Sequence, residues 1–262
     1  MSAQIHPSSV ISREAELASG VEVGPFCIIR GKVKIGPGTK LESHVSIGSD
    51  TGVVEIGRNN RISYGAALGG PPQDIHYKGE ATKLVIGDDN MIRECTTLNI
   101  GTVKGGGVTK VGNKNLIMAY VHLGHDVQMG DHNVIVNSTQ IAGHVHIDHH
   151  VTISGVCAFN QFVRIGSYSF TAGYSSVNKD ILPYCVARGN YAVATATNKI
   201  ALERAGFPED KIETLHQAIR IILKGTSTLN EAIERIQREC KPCEEIDYLV
   251  DFVRNSKRGL AK

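Results

Sequence analysis

The apolar positions of this chain recur at a fixed spacing of six. Large aliphatic residues stand at Ile5, Ile11, Leu17, Val23, Ile29, Ile35, Leu41 and Ile47, then at Ile56, Ile62 and Leu68, then at Ile86, Ile92 and Leu98. The series resumes at Val111 and runs through Ile117, Leu123, Met129, Ile135, Ile141, Ile147, Ile153, Phe159, Ile165, Thr171 and Val177, with Thr171 its polar exception. Glycine often follows that residue, as at Gly24, Gly36, Gly112 and Gly124, and a small or β-branched residue comes four places after it, as at Val21, Cys27, Val45 and Val145. A helix repeats every 3.6 residues and a half-buried strand every two, so neither gives a strict six over this span. A flat-sided solenoid does. Each hexad supplies a short strand and a corner, and three hexads close a triangular coil. Every aliphatic then stacks on its equivalent one coil away, and coils about 4.8 Å apart pair their backbone groups.

The period fails in three places. Residues 47 to 56 hold extra positions, Asp74 and Glu80 fall where aliphatics belong, and the stretch between Leu98 and Val111 is overlong and contains Gly105, Gly106 and Gly107. These read as loops thrown out near 49–52, 69–85 and 101–109, and loops on a rigid solenoid are where function concentrates. Beyond Pro183 the period ends, and after Thr195 the pattern is helical. Pro208 sits at a helix start, with Ile212, Leu215, Ile219 and Ile222 on one face and Gly225 just past Lys224. Thr228 and Glu231 form a capping box, and a last helix covers Glu244 to Asn255. The expected fold is an all-β main domain, a parallel β-helix of hexapeptide repeats over residues 1–187. A small C-terminal α-helical domain follows over 188–262.

Composition narrows the partners. With 28 Lys+Arg against 26 Asp+Glu, the chain has no global basic field of the kind that gathers phosphate, so no nucleic-acid partner is expected. No apolar run approaches the ~20 residues of a membrane span, and Met1 to Val10 has neither a basic nor an apolar leader region. The expectation is a cytoplasmic protein without integral membrane contact. Six scattered cysteines do not make a disulfide scaffold, and the lone pair Cys240 and Cys243 reads as helix-end thiols.

Histidine is the informative residue, because a pKa near 6.5 makes it a ready base or metal ligand. His122, His125, His144, His146, His149 and His150 crowd into one stretch. Residues one coil apart share a column, so Asp126 stacks on His144, while His125 shares its column with Gly143 and Gln161. An imidazole made more basic by a carboxylate, beside a glycine whose N–H can face an oxyanion, is what general-base catalysis needs. His146, His149 and His150 read instead as decoration of a polar face. A metal reading takes His122, His144 and His149 as ligands across a subunit interface.

The chain resembles, over essentially its whole length, the UDP-N-acetylglucosamine O-acyltransferase family that begins lipid A synthesis in Gram-negative bacteria. The matching stretches include Gly24 to Ile28, Pro72-Gln73-Asp74, Gly101 to Gly107, His122 to Asp126, Ala142 to Val145, Gln161-Phe162, Gly189-Asn190, Arg204 to Phe207 and Arg258-Gly259-Leu260. The resemblance implies a left-handed β-helix forming a homotrimer, with active sites between neighbouring prisms. It implies transfer of a 3-hydroxyacyl group from the phosphopantetheine thioester of acyl carrier protein to the 3-hydroxyl of a nucleotide sugar, with no further cofactor and no metal. His125 becomes the general base, Asp126 its orienting partner and Gly143 the oxyanion donor. His122 and His144 shape the site, Gln73 and Asp74 bind sugar or thioester groups, Gly173 ends the acyl pocket, and Asn198 and Arg204 make nucleotide or carrier contacts. Asn160, Gln161 and Tyr191 complete the substrate walls.

Several positions depart from the family's usual residues: Asn160 and Tyr191 replace histidines, Asn99 and Ile100 replace His and Arg, and Ile200 and Ala205 replace charges. Losing a cation near a diphosphate removes a contact of about 1.5–3 kcal/mol. A changed acceptor sugar, an amine in place of the hydroxyl, a different acyl length, a non-catalytic binding protein and a zinc lyase on a similar prism are the rival readings. Arg164, Arg220 and Lys224 would meet an acidic carrier protein or form a solvated face.

Overall fold

The computed structural model describes residues 2–224 and 228–262, so Gly225, read above as a helix stop, lies outside the described residues. Three sheets form the sides of a prism, with 11, nine and eight strands, all parallel but for the last strand of the first. We call them the first, second and third faces. Register follows the hexad directly: Leu98 pairs with Leu123, Leu123 with Ile141, and Ile141 with Phe159 on the second face. Most strands are two residues long, because the chain needs only one inward side chain per side before turning.

The hexad aliphatics from Val23 onward fill the prism axis, and the residues four places after them, such as Val21, Cys27, Val45, Val121 and Val145, are buried with them. A second interior column escapes the aliphatic pattern. Asn60, Asn90, Asn115 and Asn133 stack at the corner between the third and first faces: Asn90 Nδ2 donates to Asn60 Oδ1 and Asn115 Nδ2 to Asn90 Oδ1, each at 3.0 Å, and the Asn133 backbone N–H donates to Asn115 Oδ1 at 2.8 Å. Buried amides survive there because the ladder satisfies them. Thr171, the exception in the aliphatic series, is fully buried with its Oγ1 unpartnered.

The three interruptions of the period share one location. The strands at Ser46–Ile47, Ala67–Gly70 and Thr97–Asn99 belong to the second face, and the strands that follow them, at Val53–Ile56, Lys83–Ile86 and Val108–Val111, belong to the third. All the inserted residues therefore leave the prism at the corner from the second face to the third. The loops brace one another: Thr82 Oγ1 donates to the Gly101 carbonyl at 2.5 Å, and Asn99 Nδ2 donates to the Pro71 carbonyl at 2.8 Å.

The last part of the chain caps one end. Cys185–Gly189 extends the first face and pairs antiparallel with Ala192–Thr197, so the helical pattern read from Thr195 begins only at Lys199, after this edge strand. Four helices follow: α1 (Lys199–Arg204), α2 (Glu209–Lys224), α3 (Leu229–Glu239) and α4 (Glu244–Arg254). Pro208 precedes α2, and Thr228 and Glu231 bond reciprocally as the capping box of α3. Cys240 ends α3 and Cys243 starts α4 as free thiols. Leu215, Ile219, Ile236, Leu249 and Phe252 make a separate core. Several contacts tie it to the prism, among them Tyr248 Oη donating to Asp148 Oδ2 at 2.5 Å and the Arg164 guanidinium lying 4.2 Å over the Phe252 ring. Among the described residues no helix is long and apolar enough to cross a membrane.

Candidate active site

The corner that carries the insertions also carries the buried histidine. His125 and Asp126 form the turn between the strands His122–Leu123 and Gln128–Met129, with Asp126 in the left-handed region at φ 61°. A non-glycine residue there costs on the order of 1–2 kcal/mol, which the packed coils on either side enforce. Both side chains are withdrawn from solvent, His125 at 6 % exposure and Asp126 at 2 %. His125 Nδ1 lies 2.8 Å from Asp126 Oδ2. With the carboxylate accepting from Nδ1–H, the lone pair of Nε2 is left for chemistry.

Asp126 is satisfied on every side. The Thr102 N–H donates to Oδ1 at 2.8 Å, the Thr102 hydroxyl to Oδ2 at 2.7 Å, and the Asp126 N–H itself donates to Thr109 Oγ1 at 2.7 Å. A buried carboxylate holding this many donors is locked in one orientation, and it serves to orient the His125 ring. One coil further, Gly143 makes room for the imidazole: a Cβ there would lie 2.6 Å from His125 Cε1 and 2.7 Å from Nε2. Any other residue at 143 displaces the ring.

His144 follows Gly143, its Nε2 3.7 Å from Asp126 Oδ2 and its ring stacked 4.5 Å from Phe162. Burial pushes the His144 imidazole towards its neutral form, partly offset by Asp126. His122 accepts or donates at Nδ1 to Thr97 Oγ1, 2.8 Å away, and is likewise held neutral, by burial first and by His125 second. The three side chains His125, Asp126 and His144 fall within 4.8 Å of one another, a spacing that a metal ion could use. Their hydrogen bonds are those of a proton-handling pair, since Nδ1 is already turned to the carboxylate. His149, grouped with His122 and His144 in the metal reading, instead accepts from the Asp131 N–H at 3.0 Å on a different corner.

The other residues singled out from the sequence divide into two sets. Asp74 stands in the second insertion, its carboxyl held below the usual range by the His76 N–H and secondarily by His76, His125 and Lys104. Gln73 lies beside it, and exposed Asn160 and Gln161 occupy the same corner one coil beyond Gly143. Those residues share the corner that holds His125. Gly173 does not: it lies at the corner between the first and second faces, 3.3 Å (from a notional Cβ) from the Gly155 carbonyl. Tyr191, Asn198 and Arg204 lie on the capping hairpin and α1, where Asn198 Nδ2 donates to the Tyr168 carbonyl at 2.8 Å. Within one chain, half of the named set is therefore away from His125.

Sequence reasoning did not find Thr102, Thr109 or the role of Asn99, whose buried Oδ1 has no partner while its Nδ2 anchors Pro71. The available signal was the pair Gly101 and Gly105, where added side chains would press on the Asp126 carboxylate.

Stacked hexapeptide coils with a buried imidazole–carboxylate pair at an irregular corner define a hexapeptide-repeat transferase, and residues 109–143 match the bacterial transferase hexapeptide model. Residues 180–261 match the model described as UDP-N-acetylglucosamine O-acyltransferase, domain 2. Two relatives named acyl-[acyl-carrier-protein]–UDP-N-acetylglucosamine O-acyltransferase align along the full chain. The one from Myxococcus xanthus is 44% identical over 99% of this chain and 100% of its own, and the one from Thermodesulfovibrio yellowstonii is 40% identical over 99% of both. The solved UDP-N-acetylglucosamine O-acyltransferase of Moraxella catarrhalis superposes with a TM-score of 0.95 at 40% identity, covering 100% of both chains. The LpxA structure from Acinetobacter baumannii gives 0.95 at 42%, covering 98% of this chain and 99% of its own. The chain belongs to the UDP-N-acetylglucosamine O-acyltransferase family.

Proposed function

We propose that this protein transfers a 3-hydroxyacyl group from acyl carrier protein to the 3-hydroxyl of UDP-N-acetylglucosamine, with His125 as the general base. The observation that carries the reading is the buried His125–Asp126 pair set against a glycine. His125 Nε2 takes the hydroxyl proton as the sugar oxygen attacks the thioester carbonyl, and the Gly143 N–H, which bonds to no group among the described residues, faces the developing oxyanion. Collapse breaks the C–S bond, and the imidazolium returns its proton to the departing phosphopantetheine thiolate. Asp126 stabilises that imidazolium without taking its proton. His122 and His144, kept neutral, offer hydrogen bonds without adding a cation that would oppose proton uptake.

Gln73, Asp74, Asn160 and Gln161 form the near wall for sugar and thioester. Gly173, Tyr191, Asn198 and Arg204 complete it from a neighbouring subunit, so the working unit is a cytoplasmic homotrimer with the groove between prisms. That division is supported by their placement on other corners of one chain. Acid–base catalysis of this kind supplies about 10²–10⁴-fold, and the remainder comes from holding both substrates together.

The test is an assay with purified protein, 3-hydroxyacyl carrier protein and UDP-N-acetylglucosamine, read by product mass. Acyl transfer to this acceptor and none to its 3-deoxy analogue is the expected result. Equal transfer to the 3-deoxy sugar, or none to either, contradicts it.

A further inference from the structure

The inserted loop at residues 101–107 does more than interrupt the repeat. It closes over the Asp126 carboxylate, with Gly101 and Gly105 lying so near that an added Cβ at either would collide with it. Between these glycines stands Thr102, 6 % exposed. Its hydroxyl accepts from the Gly105 N–H at 3.1 Å, so its own proton is directed to Asp126 Oδ2, the oxygen that also faces His125 Nδ1. Its backbone N–H takes Oδ1. The two donors of one residue thus fix the carboxylate's rotation, and Thr109 fixes its main chain from below.

We infer that Thr102 is a positioning residue for the proton-transfer pair, holding Asp126 so that His125 keeps its proton on Nδ1 and presents a bare Nε2. The inference rests on the acyl-transfer reading above. Loss of the hydroxyl takes one of its two partners from Asp126 Oδ2, leaving His125 Nδ1, while the Thr102 backbone donor to Oδ1 stays and the Gly105 N–H keeps the Thr102 carbonyl as acceptor. The freed carboxylate then binds a proton more readily, or draws one more firmly onto His125, and both changes make the pair titrate at higher pH. The other titratable groups facing it are His122, His144 and Asp74, with Lys104 beside Asp74, and the substitution leaves all of them in place.

The experiment compares Thr102→Val and Thr102→Ser with the unaltered protein in two readouts: the pH profile of kcat/KM, and the ¹⁵N resonances of the His125 ring in the resting protein. For Thr102→Val we expect kcat to fall about 10- to 100-fold with KM little changed, as for loss of a hydrogen bond to a charged group. Its acid limb should move to higher pH and the Nδ1–H signature weaken. Thr102→Ser should restore both. An acid limb and ring spectrum unchanged by Val, or a Ser variant as impaired as Val, overturns the inference. If the unaltered protein shows no acyl transfer, the function reading fails by itself, and the ring spectrum still decides the role of Thr102.

Discussion

Two corners of the prism carry the same residues in opposite order, and only one of them makes a site. At the corner from the second face to the third, the chain reads Gly124-His125-Asp126. At the next corner it reads Gly130-Asp131-His132. In the first, the imidazole lies inward against Gly143 and the carboxylate is enclosed by the inserted loop. In the second, Asp131 is partly open to water and accepts from the Asn113 N–H at 2.6 Å, while His132 stacks flat on His150, 4.8 Å and 3° apart, which in turn stacks 4.6 Å from Tyr168. The second arrangement uses histidine as a flat ring that covers the corner. Histidine content therefore marks neither corner as chemical. What separates them is an orienting carboxylate removed from water, and a missing side chain one coil away.

The largest effect should come from filling that missing side chain. Gly143→Ala places a methyl 2.6 Å from the His125 ring, and a ring displaced by about an ångström loses on the order of 10²-fold in kcat/KM. Gly155→Ala, at another corner where the nearest atom to the new carbon is 3.2 Å away, should change kcat/KM less than twofold. Steady-state kinetics of the two variants, with melting temperatures as a check on folding, distinguishes a local requirement from a general intolerance of the coil. Equal losses would erase the contrast between corners.

A smaller effect concerns stability. Burial lowers the proton affinity of His150, with His132 and His149 adding repulsion, and burial does the same to His122, His144 and His146. Their folded pKa values lie below the unfolded value of about 6.5, so the unfolded chain binds more protons as pH falls through that range. Stability should be constant above neutrality and decline as pH drops below about 6.5. His150→Phe, which keeps a flat ring between His132 and Tyr168, should flatten that decline by about 1–2 °C in Tm between pH 7.5 and 5.5 and leave turnover at neutral pH unchanged. A decline as steep as that of the unaltered protein would mean that the stacked column does not titrate in the way its burial requires.

The six-residue spacing makes the prism legible, and with it the columns that join His125 to Gly143 and Asp126 to His144, because stacking distance follows from counting alone. The departures are equally physical. Thr102 and Thr109 lie within and after an insertion, so counting loses their register with Asp126. The asparagine ladder from Asn60 to Asn133 is polar, so a search for aliphatics passes over it, although each member keeps the place four after an aliphatic and is as buried as its neighbours. The shared corner of the three insertions is implicit in the spacing, since they follow Ile47, Leu68 and Leu98, each three hexads after the last. The placement of Gly173, Tyr191, Asn198 and Arg204 away from His125 is a matter of three dimensions, and the sequence lists them without it.

The most direct measure of the central claim is the turnover of His125→Ala on 3-hydroxyacyl carrier protein and UDP-N-acetylglucosamine. The account predicts a loss of at least about 10²-fold in kcat with melting temperature and oligomeric state close to those of the unaltered protein. Retained turnover in a folded His125→Ala protein would contradict it.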